Sequence, residues 1–120
     1  MTWTLELTRL PLSGNKRDRS HWAVKNKELR ELVTEIGWLA RAAKIPEATG
    51  KRYVRIELHK KRGVRPDDEG NIDARSKGIL DALTRLCLLI DDDPTHLEYL
   101  GVHEGEHRNP PGTTILIGDA

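Results

Sequence analysis

The chain has 120 residues, 20 Lys+Arg against 19 Asp+Glu, and a single cysteine. That length suits one domain with a modest core, and a lone cysteine excludes an internal disulfide. No apolar run could span a bilayer, no secretory leader opens at Met1-Thr2-Trp3, and no repeat or low-complexity tract occurs, so a soluble, cytoplasmic protein is expected.

Trp3, Leu5 and Leu7 alternate with Thr4, Glu6 and Thr8, the period of a half-buried strand, which ends by Pro11. A loop follows, Leu10-Pro11-Leu12-Ser13-Gly14-Asn15, and runs into Lys16, Arg17 and Arg19. Trp22, beside His21 and basic residues, has the ring to stack on an unpaired base, but packing under a loop is the simpler expectation. Leu29, Leu32, Val33, Ile36, Leu39 and Ala43 then recur at helical spacing, with Ile45-Pro46 as the stop. Residues 53–60 predict a second strand, with Val54, Ile56 and Leu58 on one face and Arg55, Glu57 and His59 on the other. Lys60, Lys61, Arg62 and Arg65 follow it. Further on, Ile72, Ile79, Leu80, Leu83 and Leu86 make the apolar stripe of a second helix, with Asp73, Lys77 and Asp81 four apart on its flank. Cys87, between Leu86 and Leu88, is expected to be a buried thiol rather than a nucleophile. Residues 97–102 and 113–117 predict the last two strands. The order strand-helix-strand-helix-strand-strand implies an α/β (α+β) fold, two main helices on a mixed four-stranded sheet.

The chemistry concentrates between Asn71 and Asp93, where acids stand at both ends of the second helix and close in the run Asp91-Asp92-Asp93. Two carboxylates about 4 Å apart repel by roughly 4 kcal/mol at an effective dielectric of 20, so their approach calls for protons or a cation. A hard divalent ion such as Mg²⁺ takes oxygen ligands and keeps waters that a substrate can replace. The simpler account makes Asn71 or Asp73 a helix cap and Lys77 an i,i+4 partner of Asp73 or Asp81, worth about 0.2–0.5 kcal/mol. Charge is divided along the chain as well: residues 1–65 hold 16 Lys+Arg and 7 Asp+Glu (net +9), residues 66–120 hold 4 and 12 (net −8). A basic portion that attracts phosphates beside an acidic portion that holds metal is a division of labour suited to a nuclease, although each basic run alone also fits a solvated face.

His103-Glu104-Gly105-Glu106-His107 matches the zinc-protease pattern His-Glu-x-x-His, whose chemistry needs a helix to bring the rings together. The central glycine, the strand-like run before it and Asn109-Pro110-Pro111-Gly112 after it predict a turn between strands instead.

The frame Asn71-Ile72-Asp73-Ala74, Lys77, Asp81-Ala82-Leu83 and Leu88-Leu89-Ile90-Asp91-Asp92 resembles the RusA family of Holliday junction resolvases. That family has Asp-x-Asp-Asn, a lysine four residues after the second Asp, then Asp-Ala-Leu, and a hydrophobic run into Asp-Asp. Leu10-Pro11-Leu12-Ser13-Gly14-Asn15 is similar to the family's Pro-x-Ser-x-Asn loop. Two positions depart from the pattern: Asn71 stands for the first acid and Ala74 for the asparagine, removing one charge and one amide, with Asp67 or Asp68 as a possible source of the missing carboxylate. The resemblance implies a homodimeric, Mg²⁺-dependent endonuclease (Mn²⁺ as substitute) that cuts four-way DNA junctions, and a phage or bacterial origin. Asp73 and Asp92 would be the main metal ligands, with Asn71 and Asp91 contributing, and Lys77 would meet the scissile phosphate. Asp81 is expected to hold Lys77 in place. Asn15, Lys16, Arg17, Arg19, Lys61, Arg62 and Arg65 are the candidate DNA contacts. The rivals are a weak or inactive branched-DNA-binding protein of the same fold and a nuclease of unbranched DNA.

Overall fold

The described residues of the computed structural model, 1–11, 22–66 and 69–120, form β1 (Thr2–Leu7), α1 (Trp22–Ala42), β2 (Arg52–His59), α2 (Glu69–Ala74), α3 (Ser76–Arg85), β3 (Leu97–Glu104) and β4 (Gly112–Asp119). The strands make one mixed sheet in the order β1-β4-β2-β3. β4 pairs antiparallel with both β1 and β2, while β2 and β3 run parallel, which requires a long crossover between them, here α2 and α3. The expected mixed four-stranded sheet under helices is therefore present.

Period-2 patterning sets the register. Leu5 and Leu7 are buried while Thr4 and Glu6 are exposed, and Ile56 sits between Ile115 of β4 and Val102 of β3. These side chains meet Leu32, Ile36 and Ala40 of α1 and Ile79, Ala82 and Leu83 of α3 in one core. β3 carries an extra residue: Val54 faces Tyr99 but Ile56 faces Val102, and Gly101, at φ 86°, takes up the bulge. A shift of this kind keeps Val102 directed at the core, where an unbroken alternation from Tyr99 would have turned it away.

Both long helices stop in the same way. Beyond α1, Lys44 adopts φ 56° and its N–H reaches the Arg41 carbonyl, while Ile45 N–H reaches Ala40. Beyond α3, Cys87 adopts φ 60°, its N–H reaches Thr84 and that of Leu88 reaches Leu83. This is a Schellman cap with a non-glycine residue at its left-handed position. It corrects the expectation for Cys87: the cap turns the thiol outward, and the residue is exposed. The motif segment is also not one helix. It divides at Arg75, whose guanidinium bonds the Pro11 carbonyl, so Asp73 lies near the end of α2 rather than in a first turn, and Lys77 and Asp81 belong to α3. No helix among the described residues is long and apolar enough to cross a membrane.

Candidate active site

The turn after α3 is fixed before its acids begin. Leu88 and Leu89 are buried, at 3% and 1% exposure, and both N–H groups reach the Leu83 carbonyl. Arg52, at the start of β2, is itself buried and donates from Nη1 to the Leu88 carbonyl at 2.9 Å. Its Nε meets Asp119 at 3.2 Å, and its guanidinium lies 5.0 Å from the centre of the Trp3 ring. Ala48 N–H holds the Cys87 carbonyl from the other side. Strand, helix and turn are thereby locked, and Asp91-Asp92-Asp93 leaves from a rigid base.

The three acids then part. Asp93 is structural: its carboxylate accepts from the N–H groups of Thr95 and His96 and from the His96 ring at 2.8 Å. Slight loss of hydration pushes its acidity one way, and these His96 and backbone bonds outweigh it, leaving the carboxyl below its usual range. Asp91 and Asp92 instead face an open cleft of about 320 Å³ whose wall comprises Asp81, Thr84, Arg85, Asp91 and Asp92. The Asp92 carboxyl is held above its usual range by hydrogen bonding with Asp91, then by desolvation, then by the charges of Asp91 and Asp81. Such a group favours a shared proton or a cation.

The remaining motif residues lie elsewhere. Asp73 is exposed and stands near Tyr99 of β3, whose hydroxyl is held above its normal range by burial, against a Ser76 hydrogen bond, with the Asp73 charge adding to the rise. Asp73 and Lys77 do not belong to the cleft wall. No ion pair joins Lys77 to Asp73 or Asp81 among the described residues, so the expected role of Asp81 as its anchor has no contact behind it. Asp81 lines the cleft instead. Among the described residues, no three His, Cys, Asp or Glu side chains are grouped closely enough to hold a metal ion. Two carboxylates and waters remain a sufficient protein contribution for Mg²⁺. The Asn71 side chain, Asp67, Asp68, Asn15, Lys16, Arg17 and Arg19 lie outside the described residues.

Of the basic run after β2, Lys61, Arg62 and Arg65 are exposed. Lys60 is not: at 3% exposure it donates to Glu104 at 2.9 Å and to the Arg65 carbonyl at 3.2 Å, bracing the loop that carries the other three. The His103–His107 segment has no helix. His103 and Glu104 end β3, His103 Nε2 donates to the Leu100 carbonyl, and His107 Nδ1 donates to that of Lys60. A Cβ on Gly105 would come within 2.7 Å of the His59 ring, so the glycine serves packing.

Arg85 was not singled out from the sequence, although it continues the four-residue ladder Asp73-Lys77-Asp81-Arg85. It lines the acidic cleft and also an adjoining groove with Trp22, Ala23, Asn26, Leu29 and Arg30. Within the α3 frame, its spacing from Asp81 was the available signal. A scan against models of known protein families matched none of them, and a search of curated proteins found no match.

Proposed function

We propose that the chain is a divalent-metal-dependent endodeoxyribonuclease of branched DNA, a resolvase of four-way junctions of the RusA kind. The observation that carries this is the Asp91-Asp92 pair, set with Asp81 and Arg85 in an open cleft at the end of the motif that resembles that family, where the neighbouring acids raise the proton affinity of Asp92. The donor set is all oxygen and suits Mg²⁺ or Mn²⁺. Asp91 and Asp92 would hold the ion, Asp81 stands in the same wall, and Asp73 and Asn71 complete the motif. When bound, such an ion activates a water and stabilises the leaving 3′ oxygen in phosphodiester hydrolysis. Arg85 presents a guanidinium to a phosphate entering the cleft, and the exposed Lys77 is available to offset charge developing on the scissile phosphate. A two-fold homodimer would carry two such clefts and cut a junction symmetrically.

A second proposal, an inactive junction-binding protein, is favoured by one set of observations: Asn71 replaces an acid, and Asp73 lies outside the wall shared by Asp91 and Asp92. A labelled four-way junction incubated with Mg²⁺ or Mn²⁺ separates the two. The nuclease yields paired nicks, and Asp92→Asn abolishes them while binding survives. Salt-sensitive binding with no product under either metal establishes the inactive protein instead. A gain of cutting in Asn71→Asp would place the deficit at the missing charge. Equal cutting of plain duplex would make the enzyme a general nuclease.

A further inference from the structure

Next to the acidic cleft is the groove formed by Trp22, Ala23, Asn26, Leu29, Arg30 and Arg85, about 530 Å³ in volume. Arg85 belongs to the wall of both, so the two concavities adjoin at this residue. Trp22 is 68% exposed and Leu29 is half-buried, so an aromatic and an aliphatic surface share this wall with two arginines. An exposed indole in one groove with guanidiniums is the combination that proteins use to bind single strands, since every base has a face to stack and every linkage a charge to pair.

We propose that this groove seats an unpaired nucleotide of the strand whose phosphate enters the acidic cleft: Trp22 stacks on its base, and Arg30 and Arg85 bind the phosphates on either side. The assignment rests on the nuclease proposal and adds to it the feature of the substrate that is read. Charge decides the occupant. Among the described residues, the groove contributes two cations and no acid, whereas the neighbouring cleft contributes three carboxylates. A ligand lying across both must carry anionic groups for the two arginines and for a metal held by the carboxylates, and a flat apolar face for Trp22 between them, which an unpaired DNA strand supplies at every nucleotide. Fully paired duplex would offer Trp22 no base face. Branch points and strand ends do, so selectivity for branched DNA would arise here without sequence readout.

Trp38 supplies the internal control. It too is 68% exposed and near a guanidinium, that of Arg41, 5.8 Å from the guanidinium carbon to the ring centre, and it belongs to neither wall. The test is titration of the full chain, in Ca²⁺, with a twelve-nucleotide oligo-dT, a four-way junction and a paired duplex, read by tryptophan fluorescence and by a labelled-DNA binding assay. Oligo-dT is expected to quench wild type and Trp38→Ala but not Trp22→Ala. Trp22→Ala should bind oligo-dT and the junction roughly 5- to 100-fold more weakly, the range expected for loss of one stacked base, with duplex affinity nearly unchanged. Trp22→Phe should restore most of the loss, which a merely structural role would not require. Equal affinity of Trp22→Ala and wild type for all three ligands, or an equal loss on duplex, overturns the proposal. Trp22-dependent binding without cleavage in Mg²⁺ or Mn²⁺ would leave the groove standing and remove the nuclease. Failure of wild type to bind any of the three would remove both.

Discussion

Replacing Arg52 by methionine tests whether the acid-bearing turn is held from the sheet. The side chain is 3% exposed and makes three contacts at once, with the Leu88 carbonyl, Asp119 and the Trp3 ring. Methionine keeps most of the volume but donates nothing. Leaving the Leu88 carbonyl unpaired costs about 1–3 kcal/mol. Loss of the cation over Trp3 adds about 0.5–1 kcal/mol. The Asp119 pair adds under about 1 kcal/mol, because Asp119 is 55% exposed and regains water. Relief of the buried guanidinium's desolvation returns part of this, for a net loss of about 2 kcal/mol. With an unfolding entropy of about 0.25 kcal/mol/K for a chain of this size, Tm falls by about 8 °C. Measured at 20 °C, where the variant is still folded, the metal-dependent cleavage that the proposed function entails should fall about ten-fold, because the turn no longer fixes Asp91 and Asp92. Arg52→Lys, which keeps the charge and one donor, should lie between. A melting curve within about 2 °C of wild type, together with unchanged cleavage, would refute the idea that Arg52 positions the turn.

Two further outcomes follow from the helix cap and the acid pair. Lys44→Gly and Cys87→Gly each remove a side chain from a left-handed position, a gain of about 1–2 kcal/mol offset by the greater freedom of glycine in the unfolded chain. Each should raise stability by about 0.5–1 kcal/mol in urea unfolding; a loss would contradict the cap geometry. Because the folded state raises the proton affinity of Asp92, folding binds protons there, so this contribution is present below the ordinary aspartate range near pH 4 and is lost as pH rises past it. Asp92→Asn should therefore be more stable than wild type at pH 7 and not at pH 3.5, by less than about 1 kcal/mol since the pair faces solvent. Mg²⁺ should narrow the gap at pH 7, and an identical difference at both pH values would argue against charge crowding.

The strands and most of the first helix were legible because their burial has a simple period: Leu5 and Leu7, Val54, Ile56 and Leu58, then Leu32 and Ile36 all face the core as their spacing predicts, whereas Ala43, expected on the same stripe, is exposed beyond the helix end and Ala40 is buried in its place. What was not legible depends on contacts between distant residues. The helix divides where Arg75 turns to Pro11, a contact across 64 positions, and that division takes Asp73 out of the ladder its spacing from Lys77 suggests. Cys87 is exposed because the cap needs a left-handed residue there, which outweighs its apolar neighbours. Lys60 resembles the rest of its basic run, yet Glu104, brought beside it by β3, makes it a buried brace. The acid run was visible as a charge cluster, but the separation of Asp93 from Asp91 and Asp92 depends on His96.

The location of the cleft makes its electrostatic purpose harder to explain by stability alone. Asp91 and Asp92 meet Asp81, Thr84 and Arg85 at the C-terminal end of α3, where the helix dipole is negative and cations, not acids, are favoured. Among the described residues, Arg85 is the one basic residue in that last turn and in the cleft wall. An acid at such an end forgoes about 0.3–1 kcal/mol of dipole stabilisation, and a fold selected for stability alone would exchange it for lysine. Asp93 shows the alternative, since its charge is absorbed by His96 and two N–H groups. Asp91 accepts one N–H, that of Asp92, and no histidine or other cation is bonded to either carboxylate among the described residues, so the pair keeps a negative potential that repels a phosphate; under the proposed function, a DNA strand would reach this end of the helix only with a cation present, while Arg30 and Trp22 in the adjoining groove would engage it without one.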